Sequence, residues 1–166
     1  MDGYILDTSV LSARLDASHR RHGDVRLGLD ALGVAAQFVS AISLAELTFG
    51  VRLAQAFEPA PSPMLEQMLV DARAYAVLDL THHTSAAYAA LKANLAKRFL
   101  AKTSRRHRRR WLEEWVDQTT GQKLQVDEND LWMCSQAKER DLVMVTVDGR
   151  MRRISDADPE VRLLVL

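Results

Sequence analysis

The sequence has few residues that could cross-link a small protein, and few that could form a linker between domains. A single cysteine, Cys134, excludes an intrachain disulfide and a cysteine-rich zinc site. The seven glycines are scattered and form no GxGxxG or GKS/GKT loop, so nucleotide-driven chemistry is disfavoured. Three of the four prolines lie within residues 58–63, EPAPSP, which indicates a loop too short to separate domains. We therefore expect one domain over residues 1–166, long enough to bury a core of its own.

Long apolar runs and an excess of charge are missing as well. No stretch of about 18 apolar residues is available to span a bilayer. The first ten residues, MDGYILDTSV, lack the basic start and apolar stretch of a signal peptide. We therefore expect a cytoplasmic protein without a membrane partner. The 22 basic residues balance 22 acidic ones, but six of the basic residues and no acid lie within residues 102–110. Charge this polarised is compatible with a polyanionic partner.

Apolar strand-like segments alternate with helical patterns along the chain. We predict strands at residues 3–7, 35–41, 76–80, 142–146 and 161–166. Helices are predicted from Thr8 to about residue 15, before Gly33, and over residues 43–55, 64–75, 81–99 and 130–140. Ser43 and Glu46 match a capping box, and Asn129 or Asp127 is expected to cap the helix at 130–140. The alternation predicts an α/β fold with a parallel sheet.

Four acidic residues stand out by their positions: Asp7 and Asp148 after predicted strands, and Glu46 and Asp130 near the starts of predicted helices. Each one alone has a local explanation as a turn residue or a helix cap. Together they fit a crevice at the carboxyl ends of parallel strands. Converging carboxylates repel one another and need protons or cations, and all-oxygen ligand sets suit Mg²⁺ and Mn²⁺. The sequence therefore predicts metal-assisted phosphate chemistry.

The order of these acids, with their neighbours, carries a resemblance to a known family. The segments are ILDTS at residues 5–9, SLAEL at 43–47, NDLW at 129–132 and VTVD at 145–148. Their order resembles that of the PIN-domain nucleases, and within them VapC, the toxin of bacterial and archaeal toxin-antitoxin pairs. The resemblance covers nearly the whole chain. No motif alone is specific, but order and context together are informative.

The resemblance implies a three-layer α/β/α domain whose central, mainly parallel sheet has four or five strands. It also implies an endoribonuclease that requires Mg²⁺ or Mn²⁺ and leaves 3′-hydroxyl and 5′-phosphate ends. Asp7, Asp130 and Asp148 would be the metal ligands, and Glu46 a fourth catalytic acid acting directly or through water. Thr8, Thr146 and Asn129 would support them. The implied partners are an RNA substrate, either transfer or ribosomal RNA, a cognate antitoxin and a second copy of the chain.

Residues 102–126 depart from the compact members of the family, in which the long helix leads by a short connection to the Asn-Asp helix. We call this segment the insert. Its arginine cluster is expected to bind RNA phosphates, given a nuclease. Trp111 and Trp115 are expected to pack in the core or at a dimer interface. The arginine cluster consists of Arg105, Arg106, Arg108, Arg109 and Arg110.

Other functions are also compatible with parts of this pattern. A haloacid-dehalogenase-like phosphatase needs a second acid two residues after Asp7, where this chain has Ser9. A response-regulator receiver needs an acidic pair and a late lysine that are not visible. The stronger alternative is a non-catalytic PIN-like module that holds RNA or a partner through residues 102–116 without cutting. Four mutually repelling acids argue against it, since a binding domain has no evident need for them.

Overall fold

The computed structural model describes residues 2–57, 63–100 and 109–166, and they build one parallel sheet. The strands are β1 (Tyr4–Leu6), β2 (Gln37–Ser40), β3 (Ala76–Leu78), β4 (Val143–Thr146) and β5 (Arg162–Val165). Their order across the sheet is β3-β2-β1-β4-β5. All four pairings are parallel, with Ile5 opposite Phe38 on one side and Met144 on the other. The predicted sheet is confirmed, with five strands.

Helices connect the strands and cover both faces of the sheet. They are α1 (Thr8–Leu15), α2 (His22–Asp30), α3 (Ala41–Phe57), α4 (Pro63–Arg73), α5 (His82–Phe99), α6 (Glu128–Glu139) and α7 (Arg152–Ala157). Within the described ranges, no helix is both long and apolar enough to cross a membrane. The result is the three-layer α/β/α architecture that the resemblance implied.

The period-two geometry of the strands divides the core between the two faces. Ile5 and Leu6 are adjacent and fully buried, but they point to opposite sides of the sheet. Ile5 packs with Leu91 of α5 and Leu131 of α6. Leu6 packs with Val10 of α1 in a separate cluster that includes α2. Both faces are apolar, which is why the strands contain continuous hydrophobic runs rather than alternating ones.

The second half of the insert belongs to the core. Leu112 and Leu124 are fully buried, and Trp115 is only 5% exposed. A short antiparallel bridge between Val116 and Lys123 closes the segment on itself. The expected core packing is therefore found for Trp115, whereas Trp111 is 52% exposed. The end of the insert thus contributes two side chains to the core, because Val126 is buried as well as Leu124.

One predicted helix start is corrected, and one of two predicted caps is confirmed. The helix expected to open with a capping box at Ser43 and Glu46 begins earlier, at Ala41, so Ser43 lies inside it. The capping box there is wrong, because the Glu46 carboxylate accepts from other elements. Of the two candidates for the cap of α6, Asp127 is the cap. Its side chain accepts from the backbone of Asp130, and Asp130 reciprocates.

The chain reverses its direction across the sheet between β1 and β4. From β1 it builds β2 and then β3 on one side, and it returns to form β4 and β5 on the other. The connections that leave β1 and β4 at their carboxyl ends therefore diverge and leave a crevice between them. Asp7 follows β1, and Asp148 follows β4 by two residues. The topology alone places these two acids at one edge of the sheet.

Candidate functional site

A cavity of about 760 Å³ opens at this switch point in the sheet. All four predicted acids line it: Asp7, Glu46, Asp130 and Asp148. They come from four separate places in the chain, namely the end of β1, the second turn of α3, the first turn of α6 and the turn after β4. The other wall is apolar and includes Val51 of α3. The four acids are spread over 142 positions of the sequence, and the fold brings them to one surface.

Asp7 is the most deeply placed of the four, with 5% of its surface exposed. Its Oδ2 accepts from Thr146 Oγ1 at 2.8 Å and from Ser9 Oγ at 2.5 Å. Thr146 Oγ1 also accepts from the backbone N–H of Asp148 at 3.0 Å, so one hydroxyl joins both strand ends. Burial raises the pKa of Asp7, and the hydrogen bonds from Ser9 and Thr146 oppose that rise.

Glu46 is oriented by residues from two other elements. Thr8 Oγ1, in the first turn of α1, donates to Glu46 Oε2. Asn129 Nδ2, in the first turn of α6, donates to Glu46 Oε1 at 2.8 Å. Both oxygens of Glu46 therefore accept from side chains that the sequence motifs had singled out. These bonds tie the start of α3 to those of α1 and α6.

The charged form of Asp130 is strongly disfavoured in this site. Burial is the main cause that raises its pKa to about 7, and the negative charges of Asp127, Asp7 and Asp148 raise it further. The backbone N–H of Asp127 donates to Asp130 Oδ2 at 3.1 Å and acts in the opposite direction. The helix therefore holds a carboxyl at the cavity that is partly protonated at neutral pH.

Asp148 differs from its neighbours because it has a cation of its own. Arg150 Nη2 lies 2.6 Å from Asp148 Oδ2, and Arg150 Nε lies 2.8 Å from Oδ1. The backbone N–H of Arg150 also donates to Oδ1 at 2.9 Å. The hydrogen bonds from Arg150 hold the pKa of Asp148 below its ordinary value. Arg150 lines the same cavity.

The donor set fits a hard divalent cation by its chemistry. It consists of carboxylate oxygens, and burial together with the negative charges of Asp127, Asp7 and Asp148 raises the pKa of Asp130. Across the described ranges, however, no three His, Cys, Asp or Glu side chains are already grouped so that they could hold one ion. Asp148 is engaged by Arg150, and Asp130 by the backbone of Asp127. The acids share a cavity but are not assembled as a ligand shell.

Several residues that line the cavity were not predicted. Asp16 follows α1, and Glu113 and Gln125 belong to the insert. Asp127 had been considered only as a helix cap, and it lines the cavity as well. Gln125 has a positive φ of 55°, between the buried Leu124 and Val126. No local pattern in the sequence marks Asp16 at the end of α1, and the places of Glu113 and Gln125 depend on how the insert folds back.

Most of the predicted arginine cluster lies outside the described residues. Arg105, Arg106 and Arg108 belong to the range 101–108, which the structure does not describe. Arg109 and Arg110 are exposed. Arg109 Nη1 lies 3.8 Å from Glu114 Oε1, and the Arg110 guanidinium lies 4.8 Å from the centre of the Trp111 ring. RNA binding by the cluster stays a prediction.

The fold and the cavity define a class: a parallel α/β protein with a carboxylate-lined crevice at its topological switch point. The model of the PIN domain family matches residues 4–157, and the chain belongs to that family. The match includes all four acids. No curated protein matches the sequence.

Solved structures with the same fold include three from bacteria. A chain of VapBC2 from Rickettsia felis, solved with a DNA fragment from their promoter, is 21% identical with a TM-score of 0.63, and the alignment covers 98% of this chain and 97% of that one. FitAcB from Neisseria gonorrhoeae is 23% identical with a TM-score of 0.61, covering 97% and 96%. VapBC-5 from Mycobacterium tuberculosis is 21% identical with a TM-score of 0.60 over both full chains. These likenesses show a shared fold.

Proposed function

We propose that this protein is a metal-dependent endoribonuclease and the toxin of a toxin-antitoxin pair, of the VapC type. The observation that carries the proposal is the convergence of four acids from four elements in one cavity, with the pKa of Asp130 raised to about 7. Membership of the PIN domain family supports a nuclease. One of the structures with this fold belongs to the VapBC family of toxin-antitoxin systems, which supports the toxin role. We place the activity in one domain, residues 1–166, acting in the cytoplasm.

Asp7, Asp130 and Asp148 are the residues proposed to hold Mg²⁺ or Mn²⁺, with Glu46 acting directly or through water. The cation supplies Lewis acidity, polarising a phosphodiester and lowering the pKa of bound water. Asp130 would lose its proton when a cation binds, because positive charge favours the ionised carboxylate against the burial and the repulsion that raise its pKa. Thr146 fixes the orientation of the Asp7 carboxylate through its 2.8 Å hydrogen bond.

Glu46 is proposed to position the attacking water. Its two oxygens accept from Thr8 and Asn129, so the carboxylate is fixed and can still accept from water with its free lone pairs. Attack on phosphorus by that water leaves a 5′-phosphate and a 3′-hydroxyl. The substrate is RNA, with transfer RNA and ribosomal RNA as the two classes that the family makes relevant. No residue of the cavity distinguishes between them.

The antitoxin is proposed to bind beside the cavity along α3. Phe49 is 66% exposed and lines a depression of about 430 Å³ together with Ile42, Ala45, Glu46 and Asn129. An exposed aromatic ring in such a depression is typical of a protein interface. Because Glu46 lines both the depression and the cavity, a protein that covers Phe49 also reaches the acids. A homodimer is proposed as well, and light scattering of the purified protein tests it.

Cleavage of RNA by the purified protein tests the function. We expect cutting of structured RNA with Mg²⁺ or Mn²⁺, none in excess EDTA, and none by Asp7→Asn. The matched control is Asp24→Asn, an exposed acid in α2, which should cut at the wild-type rate. Circular dichroism should show the same fold for all three proteins. Undiminished cleavage in EDTA, or by Asp7→Asn, would exclude the mechanism. RNA binding without cleavage would instead favour the non-catalytic module.

A further inference from the structure

The cavity has almost no positive charge of its own to receive a polyanion. Seven carboxylates line it, and Arg150 is the one basic side chain that does so among the residues the structure describes. A phosphodiester that approaches this surface meets repulsion unless cations compensate. A divalent cation supplies part of that compensation under the proposed function, on which the present inference rests. The position of Arg150 is therefore informative.

The guanidinium of Arg150 occupies the Asp148 carboxylate as a bound metal ion would. Its guanidinium contacts both oxygens of Asp148, with Nη2 at 2.6 Å from Oδ2 and Nε at 2.8 Å from Oδ1 and 2.9 Å from Oδ2. These are the lone pairs that a metal ion would take from Asp148. A cation at these lone pairs competes with the guanidinium, because Arg150 already occupies both oxygens and the two positive charges repel. Arg150 has to leave Asp148 if Asp148 becomes a metal ligand.

The surroundings of Arg150 allow this departure. Its side chain is 55% exposed, and its described hydrogen bonds go only to Asp148. The backbone beneath it is a short 3-10 turn, Gly149–Met151, which is held by the buried Met151. The side chain can therefore rotate without disturbing the core. Once the cavity holds RNA, a phosphate of the substrate can accept hydrogen bonds from the five N–H donors of the guanidinium.

We propose that Arg150 is a substrate-binding residue whose guanidinium occupies Asp148 until a divalent cation displaces it onto an RNA phosphate. The exchange links the two ligands of the site. Without the cation, Arg150 is sequestered and RNA meets an acidic surface. With the cation, Arg150 adds a forked donor to the cavity. Binding of RNA is thereby coupled to binding of metal through one side chain.

Metal affinity gives the first test, and it does not depend on activity. Mn²⁺ binding is measured by calorimetry on wild type, Arg150→Ala and the control Arg152→Ala, an exposed arginine of α7 that does not line the cavity. Arg150→Ala should bind Mn²⁺ about threefold to fivefold more tightly, the factor that loss of a competing exposed ion pair allows. Arg152→Ala should match wild type. Equal affinities of all three proteins would overturn the exchange.

RNA affinity gives the second test, with and without metal. All proteins carry Glu46→Gln to slow cleavage, and a gel confirms that the RNA stays intact. In EDTA, Arg150→Ala should bind RNA as the parent does. In Mn²⁺ it should bind about tenfold more weakly, since a charge-assisted contact is lost. Its salt dependence should also fall by about 0.7, the slope for one single-strand phosphate. Arg150→Lys should lie between the two, because lysine keeps the charge but not the fork.

The outcomes separate this inference from the proposed function. If wild type binds Mn²⁺ and cuts RNA but Arg150→Ala loses the same RNA affinity in EDTA and in Mn²⁺, the exchange is wrong and the nuclease stands. If wild type binds no Mn²⁺, both are wrong. If Arg150→Ala loses RNA affinity only in Mn²⁺, and binds Mn²⁺ more tightly, the exchange is established.

Discussion

Replacing Asp130 by Asn should stabilise the metal-free protein while it removes a proposed metal ligand. The pKa of Asp130 is raised from 3.8 to about 7, chiefly by burial and by the charge of Asp127. An acid whose pKa is higher in the folded state makes folding less favourable as pH rises between the two values, because the folded protein then binds more protons than the unfolded one. Each pH unit in that interval corresponds to about 1.4 kcal/mol. The raised pKa of Asp130 therefore lowers the free energy of unfolding by about 4 kcal/mol at pH 8, where the effect is complete, and by about 2 kcal/mol at pH 5.

The measurement is the free energy of unfolding in urea, with EDTA, at pH 5 and pH 8. Asn keeps an oxygen that can accept from the backbone N–H of Asp127, as Asp130 Oδ2 does at 3.1 Å, so the cap survives. We expect Asp130→Asn to exceed wild type by about 2 kcal/mol at pH 5 and by about 4 kcal/mol at pH 8. The control Asp24→Asn should show no such growth with pH.

Metal should affect the stability of wild type and hardly affect that of the variant. A ligand that binds only the folded state raises its stability, so Mn²⁺ at pH 8 should stabilise wild type and leave Asp130→Asn nearly unchanged. The reasoning is refuted if Asp130→Asn is no more stable than wild type at pH 8, or if their difference does not grow from pH 5 to pH 8. Either result would mean that the folded protein does not raise the pKa of Asp130.

Three further predictions concern the core, the support of Asp7 and the insert. Trp115→Ala should lower the free energy of unfolding by about 3–5 kcal/mol in urea titrations, whereas Trp111→Ala should change it by less than about 1 kcal/mol because that ring is exposed; equal losses would contradict the packing. Thr146→Val should slow cleavage by about 10- to 100-fold at unchanged circular dichroism, since it removes the hydroxyl that holds Asp7; a rate within about twofold would contradict this. Replacing the arginine cluster with serine should weaken RNA binding and flatten its salt dependence, and unchanged values of both would exclude a contact.

The sheet was predictable because its signals are local. Each strand is a short apolar run, the first four end at or before a polar residue, and the helix patterns between the strands make a parallel sheet the natural arrangement. The end of β1 at Leu6 and of β4 at Thr146 follows directly from such runs. The start of α3 was mispredicted for the same local reason. Ser43 and Glu46 have the spacing of a capping box, but tertiary contacts use Glu46 elsewhere.

The acids of the site were predictable, but their surroundings were not. Asp7, Glu46, Asp130 and Asp148 lie beside strand or helix ends, where sequence patterns are informative. Glu113 and Gln125 reach the cavity only because Trp115, Leu124 and Val126 are buried and fold the insert against α6. These buried residues have no helical or strand-like spacing, so their packing could not be predicted from local sequence patterns. The insert was expected to be a basic addition, and its second half is a wall of the cavity.

The acids of the cavity do not share their charge problem equally, and this division explains how the site can persist without metal. Asp148 is compensated by Arg150, which lowers its pKa, whereas burial raises the pKa of Asp7 and Asp130, and only hydrogen bonds and protons oppose the cost of their charge. One internal cation is enough to hold one of the three proposed ligands ionised and in place. A second would compensate Asp130 too, and the cavity would then have little electrostatic reason to bind a divalent ion. Under the proposed exchange, Arg150 compensates part of the negative charge when the cavity holds no metal, and the remaining acids still favour a divalent cation.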